Sequence, residues 1–413
     1  MTATFAPLTP GQAVARQTVT AYTLTPEQLR KSEALHRTNL ELALASTLLN
    51  FAVLAALIAW RVVPRLQHAV GRMPPRMAQK RFVQAAIFVP ALLLTLSIFQ
   101  FPIQLYAHHI LLQYGLSVQG WGGWLADRLN SELLLMAIAT PCLWGLYALI
   151  RRSALRWWLY AWLCALPVMA GMVFISPVLI DPLFNRFTPL EQTHPELASQ
   201  LRNLAYSTGL DIPPARVFLM HASEKVTTYN AYVTGFGATK RIVVWDTTAR
   251  DLTLPQTLFV FAHEMGHYEL HHIYLGLAWS AALAFVGLWL TWSLAGDALS
   301  RYGPRWGIPA LADWSSLPLI LLLLAALSFL GEPLANAFSR WDEHQADAFA
   351  LAITRPILLR TGQDPGQIAA QSFQVLGEKS YAYPNPSPLL VFWSYSHPTI
   401  QQRIRFALSS AAR

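Results

Sequence analysis

Long apolar runs alternate with short basic ones over the first 180 residues, and the pattern returns after His272. A helix needs about 20 mostly apolar residues to span the hydrocarbon core of a bilayer. Six stretches approach or meet that length: Leu42–Trp60, Phe82–Ala107, Leu133–Ile150, Trp157–Ile180, Ile273–Ala295 and Trp314–Gly331. Leu133–Ile150 is the marginal one, being short and interrupted by Pro141. One such run alone reads as a buried core helix. Six in one chain, with Trp and Tyr near their ends, predict a multi-span transmembrane helix bundle.

Between the fourth and fifth stretches, Asp181 to His272 turns polar and charged, with turn signals such as Asp211-Ile212-Pro213-Pro214. Helical spacing of apolar residues predicts a helix over Pro189–Thr208, stopped by Gly209. Arg216–Met220 reads as a short strand, and Tyr229–Phe236 with Lys240–Asp246 fits a hairpin about Gly237-Ala238-Thr239. Pro255 suits a first helical turn, and that helix is expected to run on into the fifth span. A further helix is expected over Asn336–Thr354, then a polar, mostly helical tail to Arg413. The fold class expected is mainly α, with a small α/β domain at one membrane surface. Its segments are 1–41, 42–180 (four spans), 181–272 (the α/β domain), 273–335 (two spans) and 336–413.

Composition narrows the class further. The chain is 54% hydrophobic and 13% charged, against roughly a quarter charged in soluble domains. Cys142 and Cys164 both sit in apolar runs, so neither a disulfide framework nor a Cys-based metal site is expected. The net charge of +8 comes largely from basic residues flanking apolar runs. There they act as topology signals and lipid-headgroup anchors, so the bilayer is a partner and nucleic acid is not. The first forty residues carry no signal-peptide pattern, and the end Ser410-Ala411-Ala412-Arg413 is no ER retention signal. Arginine outnumbers lysine, a usage pointing to a bacterial source.

The strongest local signal is His263-Glu264-Met265-Gly266-His267. At 3.6 residues per turn both histidines project from one face, where two imidazoles can reach one tetrahedral zinc. Glu264 stands beside them as a general base for the water that such a metal activates. Catalytic zinc needs a third protein ligand, and Ser339-Arg340-Trp341-Asp342-Glu343-His344-Gln345-Ala346-Asp347 offers one. Glu343 and Asp347 share a helical face, so one can bind metal while the other accepts the free ring N–H of a ligand histidine. Alone, that segment would read as an exposed charged turn of helix.

These motifs resemble the type I CAAX prenyl endopeptidases, polytopic membrane zinc metalloproteases with a gluzincin-like active site. The likeness runs through Asp181-Pro-Leu-Phe-Asn-Arg-Phe-Thr-Pro-Leu190, Asn230-Ala231-Tyr232 with Gly235, Lys240 to Thr247, the His263 and Ser339 motifs, and Ser396-His397-Pro398 with Arg403. The resemblance implies a zincin-like domain and one Zn2+ per chain, held by His263, His267 and Glu343. It further implies Glu264 as base, Asp347 as a carboxylate behind a ligand, His397 as an oxyanion-stabilising catalytic residue and Arg403 as its support. Asn230, Ala231, Tyr232 and Gly235 match the family's substrate-binding edge strand, which takes extended peptides by strand addition. His272 matches a histidine near the site in relatives, whereas His271 and His344 have no argued role.

The implied substrate is a peptide or protein, prenylated and cut near its C-terminus, at a multi-pass site in a bacterial inner membrane. A general membrane quality-control metalloprotease is the alternative, and an inert zinc fold serving transport or structure is the rival from another class. The sequence departs from eukaryotic relatives in lacking an additional N-terminal span and an insertion before the metal helix. Basic residues between spans one and two and between three and four place those loops in the cytoplasm by the positive-inside rule. With six spans the zinc domain then faces outward, whereas the resemblance implies a cytosol-facing site. Both sides stay open at this point.

Overall fold

The computed structural model describes residues 18–70, 80–210, 212–235 and 240–411. The chain opens with helix α1 (Pro26–Ala59), started by a capping box in which Thr25 and Gln28 satisfy each other's backbone N–H. A short helix α2 (Val62–Val70) follows, then the long helices α3 (Arg81–Gln113), α4 (Trp121–Arg152) and α5 (Trp157–Ile175). A π-turn over Ser176–Ile180 extends α5 towards α6 (Asp181–Phe184). Strand β1 (Phe187–Pro189), α7 (Leu190–Thr193), α8 (Pro195–Ser207) and β2 (Val217–Met220) come next. They are followed by β3 (Ala231–Thr234), β4 (Arg241–Trp245), α9 (Asp246–Asp251) and α10 (Leu254–Glu269). Helices α11 (His272–Trp306), α12 (Leu317–Arg360), α13 (Pro365–Ser380), α14 (Pro388–Ser394) and α15 (Ile400–Ala411) complete the described chain.

Among the described residues six helices are long and apolar enough to cross a membrane, and at most 28% of the most apolar window of each is buried in protein. Leu48, Ile98, Leu129 and Leu330 are each at least 60% exposed. Such outward apolar faces suit lipid, which leaves only a narrow seam to pack between spans. In that seam Tyr147, Trp157 and Trp314 are fully enclosed, and the Tyr147 hydroxyl meets Ser316 Oγ at 2.7 Å.

Several expectations are corrected. The marginal third span is a full helix from Trp121 to Arg152 with Pro141 inside it, because neighbouring helices re-satisfy a freed backbone group in a membrane. The helix expected over Pro189–Thr208 breaks at His194, since Pro195 disfavours helical backbone in the residue before it. The metal-motif helix does not run on into the fifth span. His271 adopts φ 61° between α10 and α11 and redirects the chain. Asn336–Thr354 is no separate helix: it continues the sixth span in one 44-residue helix through Pro333, so a boundary at residue 335 falls mid-helix. Strand β1 was not expected. The hairpin turn at Gly237-Ala238-Thr239, residue Asp211 and the first 17 residues lie outside the described residues.

The sheet has the order β1-β2-β4-β3, with β2 and β4 parallel and both outer pairings antiparallel. Among the described residues strand β3 pairs with β4 on one side only, Ala231 opposite Val244, so its other edge is open towards the metal motif. Leu201, Val217, Ile242, Phe259, Phe261, Met265, Ala350 and Phe373 form the core of this domain. Residues 18–24 also fold onto it: Tyr22 is buried there and donates its hydroxyl to Ala382 O at 3.0 Å.

The loops segregate by end. Arg61 donates to Arg305 O at 3.0 and 2.7 Å, Gln67 to Asp313 Oδ1 at 2.7 Å, and Trp292 Nε1 to Ala154 O at 3.2 Å. The connections between spans one and two, three and four, and five and six therefore meet at one end of the bundle. The α3–α4 loop lies at the other end, against the α/β domain, where Val118 N donates to Lys225 O at 2.9 Å and Thr227 Oγ1 to Gly115 O at 2.7 Å.

Candidate metal centre and active site

Helix α10 begins in a Thr253–Gln256 capping box and is buried along most of its length. It delivers His263 and His267 one turn apart onto the face that meets α12. Close approach is possible because residue 266 is glycine: a Cβ there would lie 3.0 Å from Ala346 Cα. Glu343 and Asp347, one turn apart on α12, then face the two histidines.

The ligand atoms of His263, His267 and Glu343 lie within 4.8 Å of one another. The two Nε2 atoms are 3.2 Å apart, and Glu343 places Oε2 3.3 Å from His263 Nε2 and Oε1 3.3 Å from His267 Nε2. A tetrahedron with arms of ~2.05 Å has edges of about 3.3 Å, and each of these three spacings, among two imidazole nitrogens and the two carboxylate oxygens, is close to such an edge. Glu343 Oε2 is buried without a hydrogen-bond partner, its ion pair with Arg403 Nη1 being a long one at 3.6 Å, so it keeps a lone pair for a further cation. The donor set of two imidazoles and a carboxylate therefore fits a divalent metal.

Each histidine has a distinct backing. His263 Nδ1 lies 2.8 Å from Asp347 Oδ1, which fixes its tautomer. Arg403 grips Asp347 through two bonds of 2.9 and 2.6 Å and stacks its guanidinium over Phe373 at 4.3 Å. His267 Nδ1 instead meets His272 Nδ1 at 3.0 Å, with Asp342 Oδ1 3.7 Å beyond His272 Nε2. Asp342 was missed in the sequence: within a run of charged residues nothing marked it from its neighbours. Arg340 was missed too. It donates to Val391 O at 3.0 Å and to Tyr395 O, pinning the segment that carries His397. His397 Nε2 reaches Glu343 Oε1 at 3.2 Å while its ring stays 58% exposed.

Burial works against a charged His263, but the contacts with Asp347 and Glu343 outweigh it and lift the imidazole to about 9. For Glu264, desolvation pushes the carboxyl above the usual carboxylate range, against the opposing pull of His263 and His267. A base with a raised pKa holds a proton better once it has taken one.

A cavity of about 330 Å³ opens over these groups, lined by Asn230 just before β3, by Ala231 and Tyr232 from β3, and by His263, Glu264 and His267 from α10. Gly235 lies off that lining, just past the strand at φ 85°. His344 packs on Phe406 at 4.3 Å between ring centres, and His271 serves the helix break; neither joins the cavity.

Comparison with known proteins agrees with this arrangement. Residues 13–186 match the CAAX prenyl protease N-terminal domain, described as having five membrane helices, and residues 191–411 match peptidase family M48. The chain has four membrane-length helices over the first of these regions among the described residues, one fewer than that description. It is 36% identical to the uncharacterized metalloprotease YhfN of Bacillus subtilis over 327 residues, covering 79% of this chain and 74% of that one. It is 25% identical to CAAX prenyl protease 1 of Saccharomyces cerevisiae over 403 residues, covering 92% and 85%. The crystal structure of S. mikatae Ste24p shares the fold, with a TM-score of 0.74 at 24% identity over 93% of this chain and 89% of that one. With both of its regions matched in order, and with the fold shared, the chain belongs to peptidase family M48 as a multi-pass membrane metalloendopeptidase.

Proposed function

We propose that the chain is a zinc endopeptidase with one metal per chain, cutting extended segments of membrane-associated proteins. The observation that carries this reading is the convergence of His263, His267 and Glu343 beneath the free edge of β3. When bound, zinc would supply Lewis acidity towards the scissile carbonyl and lower the pKa of water. The chain's own residues do the rest. The edge of β3 at Ala231 and Tyr232, with Asn230 just before it and Gly235 just beyond its end, binds peptide backbone by strand addition. Glu264 takes the proton from attacking water and passes it to the leaving amine. His397 directs its Nε2 to the oxygen that gains charge, a role its exposure and its reach to Glu343 support. Asp347, clamped by Arg403, holds His263 in one orientation.

The names of the CAAX prenyl protease relatives point to prenylated C-terminal segments as substrate. The likeness to a bacterial metalloprotease supports a bacterial membrane as the setting, and a broader diet of membrane proteins is the alternative reading. Purified full-length protein, given farnesylated and plain CAAX peptides in parallel, tests both. Cleavage abolished by a chelator and restored by zinc supports the peptidase. Release of three residues from the farnesylated peptide alone supports the prenyl reading, and indifference to the lipid supports the broader one. Turnover unaffected by thorough metal removal would sink the zinc mechanism.

A further inference from the structure

The end of the bundle opposite the catalytic domain is strongly basic. Its connections carry Arg61, Arg65, Arg72, Arg76, Lys80 and Arg81, then Arg151, Arg152 and Arg156, then Arg301 and Arg305, against only two acids, Asp297 and Asp313. Among the described residues the short flanks at the catalytic end carry four basic residues, Arg30, Lys31, Arg37 and Arg128, and five acids: Glu27, Glu33, Glu41, Asp127 and Glu132. Three of those four basic residues are already paired: Lys31 with Glu27 at 2.8 Å, Arg37 with Glu41 at 3.8 Å and Arg128 with Glu132 at 2.5 Å. Among the described residues, no basic group of the opposite end forms an ion pair with a carboxylate.

Basic residues in short connections orient a membrane protein with those connections in the cytoplasm, while a long domain crosses largely regardless of its charge. The rule applies once it is known which connections share an end. The bonds from Arg61 to Arg305, from Gln67 to Asp313 and from Trp292 to Ala154 gather all three arginine-bearing connections together, away from the metal centre. With the third span a full helix, Trp121–Arg152, four spans precede the catalytic domain among the described residues, which sets it on the side opposite those connections.

We infer that the catalytic face lies outside the cytoplasm. The substrate class that follows, given the peptidase reading above, is the extracytoplasmic part of membrane-anchored or exported proteins. A cytoplasmic lipidated tail is on the wrong side of the bilayer. The partner is thus recognised by location and by an extended backbone, rather than by a lipid attached within the cytoplasm.

The test uses full-length protein in the inner membrane of bacterial spheroplasts, with Cys142 and Cys164, both in the spans, changed to Ser. One reporter is Tyr206→Cys, on α8 of the catalytic domain at a position 74% exposed. The other is Leu155→Cys, in the α4–α5 connection and also 74% exposed. A membrane-impermeant maleimide should label Tyr206→Cys in intact spheroplasts and Leu155→Cys only after lysis. The reverse pattern, or labelling of Leu155→Cys before lysis, overturns the inference. So does protection of Tyr206→Cys until lysis.

An impermeant quenched peptide added outside gives a second reading. Wild-type spheroplasts should cleave it at least about a hundredfold faster than those carrying Glu264→Gln, the lower bound of what general-base removal produces. Outward labelling without cleavage would leave the orientation standing and count against the peptidase reading instead.

Discussion

The two helices that meet at the metal centre live in different solvents. Helix α10 is enclosed by protein, with Leu258, Phe259, Phe261 and Met265 each at most 3% exposed. Helix α12 starts among the membrane spans, where Leu330 is 63% exposed, and ends inside the catalytic domain, where Ala346 and Ala350 are fully buried. In the domain, apolar side chains turn inward because water surrounds them. In the spans they turn outward because lipid does. The same residue types therefore do opposite work in one helix, and the membrane bundle supplies a candidate metal ligand to a domain that otherwise resembles a soluble one.

The sharpest way to break this comparison is to cut the site from each helix in turn. Glu343→Ala should abolish cleavage and lower bound zinc well below one per chain by elemental analysis. Glu264→Gln should keep the zinc while kcat falls by about 10²–10⁴-fold. Equal metal loss in both would mean that α10 and α12 do not divide the roles in this way. Next in size, Phe259→Ala, in the aqueous core, should cost about 3–5 kcal/mol, seen as a lower midpoint in thermal unfolding in detergent. Leu48→Ala, facing lipid, should change stability by less than about 0.5 kcal/mol. The smallest contrast is between glycines. Gly266→Ala pushes a Cβ against the Ala346 backbone and should cost about 1–3 kcal/mol, weakening metal retention in a chelator competition. Gly331→Ala, on the membrane half of α12 with nothing within 4 Å, should leave both unchanged.

What the sequence made legible follows from period and hydropathy. Six apolar runs mark six spans because burying a helix in lipid demands length, and His263 and His267 share a face because they are four residues apart. Their ends were less legible. Pro141 and Pro333 look like interruptions in a water-soluble helix, whereas in these spans the helix passes through both. The break at His271 left no local mark, since neither glycine nor proline signals it and histidine tolerates left-handed backbone better than most residues. Strand β1 is three residues long and depends on pairing with β2, which no local pattern reports. That Glu343 meets two histidines some eighty residues earlier is a tertiary fact, and so is the place of Asp342 behind His272. The packing of Tyr22 against Gly377, where a Cβ would fall 2.6 Å from the tyrosine ring, belongs to the same class.

The unbroken run of α12 has a mechanical corollary. From Leu317 to Glu343 the helix is a rod of about 39 Å, at 1.5 Å per residue. A swing of about 5° at its far end would carry the carboxylate roughly 3 Å, as far as the gap between it and each imidazole. Helices accommodate a thinner or thicker bilayer by changing tilt over a wider range than that. The close seat of Gly266 on Ala346 therefore has to keep the imidazoles in step with the carboxylate whenever that rod leans.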